Sequence, residues 1–202
     1  MHQISPEALS ARENYKLLIG SVIPRPVALV VTQSEAGVVN IAPFSFFNIV
    51  SSEPAFVSLS IQRKEGVEKD TARNLRRTKE AVIHILDEEN VLAANQTAAN
   101  LPPDVSEQTV AALTLDESIK VQVPSLNEAK IRFEVQVYQH VPIKKDNQIT
   151  ADFFILAIQH YVIDEQVYED GKINPHSLKP VSRLAGNDYS KLGELFTLAR
   201  PT

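Results

Sequence analysis

No cysteine occurs anywhere in the 202 residues, which excludes a disulfide framework, thiolate catalysis, cysteine-ligated iron–sulfur clusters and thiolate zinc sites. Any redox chemistry must then reside in a bound cofactor. Glycine is scarce. The six glycines, at 20, 37, 66, 171, 186 and 193, form neither a G-x-G-x-x-G turn nor a Walker loop, so a Rossmann-held dinucleotide has no support. The five histidines, at 2, 84, 140, 160 and 176, show no H-x-H or H-E-x-x-H spacing, and no metal site is expected. Lack of a G-x-S-x-G elbow leaves serine hydrolysis without a nucleophile. No apolar run approaches the roughly 20 residues that span a bilayer, and Met1 to Glu7 lacks the basic and apolar regions of a signal peptide. A cytoplasmic protein with no membrane partner is the expectation. The net charge of -5 lacks the basic excess that phosphate backbones attract, so no nucleic-acid partner is expected.

The length suits a single domain over residues 1–202 with one sizeable core. Ser5-Pro6-Glu7 predicts a helix start with Ser5 as N-cap, and Gly20 its end. Val27 to Thr32 is β-branched and precedes the turn Ser34 to Gly37, so it pairs with the run from Val38 as a hairpin. In Ala55 to Ile61 the period of two puts Val57, Leu59 and Ile61 on one face and Phe56, Ser58 and Ser60 on the other. Those serines face either solvent or a ligand. Asp70 caps a predicted helix through about Thr78 whose outer face is basic. Glu80 to Leu86 reads as a buried strand, within which His84 is a satisfied core residue rather than a ligand. Residues 88–112 read as an alanine-rich helical insertion, interrupted at Leu101-Pro102-Pro103-Asp104, with no chemistry attached. Ile131 to His140 and Phe153 to Ile163 alternate as neighbouring strands joined by the turn Lys144 to Asn147, and Asp188 to Leu198 reads as a C-terminal helix. Together these predict a mainly β (α+β) fold, a closed antiparallel barrel with short connecting helices.

The stretch Val38 to Ser52 departs from ordinary scaffold. Pro43 removes a ladder donor, which confines its strand to an edge, a bulge or a barrel rim. Beyond it, three phenylalanines stand beside serine and asparagine. Apolar walls with a few fixed donors suit a flat, partly polar ring system; the same residues could equally fill a core and mark a turn. Lys69-Asp70-Thr71 offers a charge, a hydroxyl and a helix N-terminus to an anion, although Asp70 as a plain cap would compete for the same N–H groups.

Five ordered segments, Tyr15 to Leu18, Pro24 to Val30, Asn40 to Asn48, Lys69 to Asn74 and Arg183 to Tyr189, resemble the flavin reductase-like, FMN-binding split-barrel family. The resemblance implies a split β-barrel that binds FMN, with Lys69, Asp70, Thr71 and Asn74 at its phosphate. It implies Asn40, Ala42, Pro43, Ser45, Phe46 and Phe47 along the isoalloxazine and ribityl chain, with Ser60 facing them. Arg183, Gly186 and Tyr189 would close the site. The family more often has two adjacent glycines where this chain has Ala185-Gly186, and a left-handed backbone at Ala185 would cost about 1 kcal/mol. The implied activity is flavin reduction with NADH or NADPH as hydride donor; the alternatives are an FMN electron carrier or flavin store, and a barrel with no ligand. The resemblance further implies a homodimer, and admits a flavin-dependent oxygenase as electron acceptor.

Overall fold

The computed structural model describes residues 1–102 and 104–201. After a short 3₁₀ turn at Pro6–Ala8, helix α1 spans Ala11–Ser21, and strands β1 (Arg25–Pro26), β2 (Ala28–Gln33), β3 (Val39–Phe44), β4 (Phe47–Ser52) and β5 (Ala55–Gln62) follow. Helix α2 (Asp70–Thr78) leads into β6 (Glu80–Ile85), helix α3 (Val91–Gln96) and the two-residue strands β7 (Leu115–Asp116) and β8 (Ser125–Leu126). The long strands β9 (Ile131–Lys145) and β10 (Gln148–Ile163) come next, then β11 (Tyr168–Glu169), β12 (Lys172–Ile173), helix α4 (Pro175–Leu178), β13 (Val181–Arg183) and β14 (Tyr189–Lys191).

Seven strands form one antiparallel sheet in the order β3-β2-β6-β9-β10-β5-β4. Its two end strands, β3 and β4, are consecutive in the chain and meet at the corner Ser45-Phe46, where the Ser60 N–H donates to the Phe46 carbonyl at 2.9 Å. No ladder joins β3 to β4 among the described residues, so strand pairing does not close the barrel. The β9–β10 hairpin turns at Asp146 and Asn147, with φ of 49° and 64°, the double left-handed geometry that matches strand twist.

The packing of β2 explains why its first four residues, Ala28 to Val31, are all apolar. Ala28 and Val30 join the core cluster of Leu59, Ile61, Ile83, Phe154 and Leu156, on which Ala72 and Leu75 of α2 pack. Leu29 and Val31 face the opposite way, into a second cluster with Ile41, Val82, Ala94, Leu113, Val123 and Leu126. A strand buried on both faces shows no polar alternation. The chain from Leu86 to Leu126 therefore covers the outer face of β2 and β6.

Four expectations are corrected. Helix α1 starts five residues late: Ser10, not Ser5, is its N-cap, in a capping box with Glu13, and Gly20 lies inside the helix, which runs to Ser21. Lys69, not Asp70, is the N-cap of α2, because the Asp70 carboxylate turns to the Arg73 guanidinium. The insertion is mostly irregular, with a helix only at Val91–Gln96 and a 3₁₀ turn at Glu107–Thr109; of its expected interruption, Pro103 lies outside the described residues. No helix follows Asp188 among the described residues. Residues 189–191 pair as β14 and the described residues beyond are irregular, with Leu192, Leu195, Phe196 and Leu198 exposed. A short amphipathic segment forms a helix only when its apolar face has a surface to bury against.

His84 sits in β6 with no exposure. Its Nδ1 lies 3.0 Å from the Leu29 carbonyl, which cannot donate, so Nδ1 carries the proton and Nε2 accepts the Leu126 N–H at 2.9 Å. One neutral ring thus joins β2, β6 and β8. Burial pushes its pKa down to about 3.

Candidate functional site

Two clefts bring the expected site residues together, in two groups. The first, of about 230 Å³, is lined by Asn40, Ala42, Pro43 and Phe44 of β3, by Lys69, Asp70 and Thr71 at the start of α2, and by the 97–101 turn with Glu107. Strand β3 is a sheet edge and pairs only with β2. The Ile41 N–H points away from β2 and donates to Glu107 Oε2 at 2.7 Å, so by alternation the nitrogen of Pro43 also lies on the unpaired side. The proline occupies the one side of the strand where a missing donor costs no ladder bond.

At the α2 terminus no side chain caps the helix, and its first N–H groups carry the positive end of the helix dipole into the cleft. The Thr71 hydroxyl accepts from Asn40 Nδ2 at 2.8 Å, leaving its own proton to donate. The Lys69 ammonium lies 5.4 Å above the Phe44 ring and makes no hydrogen bond or ion pair among the described residues. Although part of this side chain reaches solvent, burial lowers its pKa. A cation is held here with an aromatic face beneath it and no direct ion-pair partner among the described residues.

The second cleft, of about 680 Å³, is lined by Glu88, Val91, Leu92, Asn95, Val181, Arg183, Asn187, Tyr189, Ser190 and Lys191. The Arg183 guanidinium stacks 4.4 Å from the Tyr189 ring and donates to the Gly186 carbonyl at 2.6 Å. Gly186 supplies the left-handed turn at φ 59°, and Ala185 escapes it. The alanine is therefore unstrained. Helix α3 and the turn after it serve both clefts, one through Asn95, the other through Thr97.

Other expected residues line neither cleft. Phe47 is buried in the main core, while Ser45, Phe46 and Ser60 are half-buried around the β3–β4 corner. Asn74 is buried behind Thr71, its amide donating to Thr32 at 3.1 Å. Arg63, a further cation not among the expected site residues, is committed to Asp152 through two bonds of 2.7 and 3.0 Å.

Sequence reasoning missed Phe44, the 97–101 wall and Glu107. Phe44 stood within the resembling stretch and was legible there. Glu107 meets its partner across 66 positions, and no local pattern announces such a contact.

Comparison with known proteins identifies the family of the chain. The flavin reductase like domain model matches residues 19–177. The uncharacterized protein YwrF of Bacillus subtilis is 49% identical over 205 residues, covering 100% of each chain. The crystal structure of nitrilotriacetate monooxygenase component B from Bacillus cereus superposes with a TM-score of 0.96 at 46% identity, covering 98% of each chain. At 20% identity and a TM-score of 0.83, over 100% of each chain, a protein with a split barrel domain from Shewanella frigidimarina shares the fold. The chain belongs to the flavin reductase-like family and has its split-barrel fold.

Proposed function

We propose that the smaller cleft holds the terminal phosphate of FMN, and that the chain is a cytoplasmic NAD(P)H-dependent flavin reductase whose product serves a flavin-dependent oxygenase. The observation that carries this reading is Lys69, a cation with no ion-pair partner among the described residues, at an uncapped helix start. A phosphate would supply that partner, with N–H groups of α2 and the Thr71 hydroxyl completing its shell. Asp70 does not compete, because it is paired with Arg73.

From the phosphate, the ribityl chain would follow Asn40, Ala42 and Pro43 towards Ser45, Phe46 and Ser60 at the corner. Phe47 and Asn74 would support this wall from behind, and Arg183 and Tyr189 would approach from the second cleft. When bound, FMN accepts hydride at N5 from a nicotinamide stacked on its ring. The protein's part is to orient the ring, exclude water from it and fix its phosphate. The name of the Bacillus cereus relative, a monooxygenase component, supports an oxygenase as the partner.

In this reading the site is completed by a second copy of the chain. Ile49 on the edge strand β4 is 77% exposed and Phe196 is 80% exposed, apolar surface that a partner would cover. Light scattering of the flavin-loaded protein should give the mass of two chains, and a single-chain mass with flavin still bound would contradict the dimer. The activity is tested anaerobically by mixing FMN-loaded protein with NADH and then NADPH. Rapid bleaching of the flavin by one of them is expected, and a flavin left oxidised by both would overturn the reductase reading.

A further inference from the structure

We propose that Glu107 opposes Lys69 in the phosphate cleft and loosens its hold on FMN, so that the flavin exchanges as a substrate instead of remaining a fixed group. This rests on the phosphate assignment above. Glu107 is 8% exposed and lines the same cleft as Lys69 and Thr71. Its Oε2 is fixed by the Ile41 N–H at 2.7 Å, and no cation pairs with it among the described residues. The charged groups that share the cleft with it are Lys69 and Asp70, at the start of α2; β3 and the 97–101 wall present none. Burial first, and then Asp70, raise its pKa above the ordinary carboxylate value.

The fold does not need the charge. A glutamine would accept the Ile41 N–H equally well and would spare the cost of a buried, unpaired carboxylate. What the charge does is chemical. A phosphate bound at Lys69 brings a second anion into a cleft of about 230 Å³ beside Glu107, and the two repel. Binding is then linked to protonation of Glu107, and affinity falls as the pH rises through its ionisation. A reductase that passes flavin to another enzyme requires that release; a carrier with permanent flavin does not.

The test is equilibrium titration of the full chain at about pH 8, where a carboxyl is ionised, with FMN and with riboflavin, for wild type, Glu107→Gln and Lys69→Ala. Glu107→Gln should tighten FMN by about tenfold and leave riboflavin within about twofold. FMN affinity unchanged or weakened in Glu107→Gln, or the same shift for both ligands, would overturn the proposal. The Lys69→Ala arm separates two failures. A selective loss of FMN there, with no gain in Glu107→Gln, rejects the role of Glu107 alone, whereas no selective loss rejects the phosphate site and this inference with it.

Discussion

Lys69→Ala should lower FMN affinity by about ten- to a hundred-fold, the worth of one charge-assisted contact at roughly 1.5–3 kcal/mol. Riboflavin affinity should hardly change. The contrast between the two ligands matters more than the size of the loss, because general damage to the fold weakens both alike. Damage is not expected, since the Lys69 side chain makes no hydrogen bond within the described structure and only its stem and the Phe44 ring would lose contact. Added salt should narrow the gap between wild type and variant, because part of the lysine is accessible to solvent and an accessible ion pair is screened. Equal losses for FMN and riboflavin would make Lys69 scaffold. In that event Arg183 becomes the better phosphate partner, as Arg63 is already held by Asp152.

The largest effect on stability is expected at His84. In His84→Leu the Leu29 carbonyl and the Leu126 N–H lose their shared partner inside the protein. Each buried group left unpaired costs about 1–3 kcal/mol, so the loss should total about 2–6 kcal/mol against a typical stability of about 5–15 kcal/mol. The pH dependence gives a second reading. The folded ring stays neutral down to about pH 3, whereas the ring in the unfolded chain takes up a proton near pH 6.5. Above that value both states are neutral and the ring adds no pH dependence. Below it, stability falls by about 1.4 kcal/mol per pH unit until the folded pKa is reached. Urea unfolding at about pH 7 and pH 5 should therefore show an acid-induced loss in wild type that is smaller in His84→Leu by about 2 kcal/mol. Equal acid sensitivity in both proteins would mean that the ring is not held neutral.

How much was legible follows from the range of each interaction. Strand β5 could be read directly, since the alternation of Val57, Leu59 and Ile61 with Ser58 and Ser60 is the pleat itself. The edge position of β3 was legible through Pro43, which no interior strand accommodates. The start of α1 was misread although its signal was present: Ser10-x-x-Glu13 is a capping box, and Ser5-Pro6 drew attention from it to a 3₁₀ turn. In the C-terminal segment Leu192, Leu195, Phe196 and Ala199 repeat at helical spacing, but spacing does not say whether a surface exists to receive that face. Asn74 shows the same limit at the site. It lies three residues after Thr71 on α2, yet Thr71 lines the cleft whereas Asn74 is buried behind it and donates to Thr32. The far wall of the cleft was invisible because residues 97–101 and Glu107 reach β3 and α2 only through the fold.

The central claim is that the cleft between β3 and the start of α2 receives the phosphate of FMN, and a crystal structure of the FMN complex tests it most directly. The account predicts the phosphate within hydrogen-bond distance of Lys69 Nζ and of the first N–H groups of α2, with the flavin ring lying towards the Ser45-Phe46 corner. A phosphate bound instead by Arg183 in the larger cleft, with Lys69 left in solvent, would contradict it.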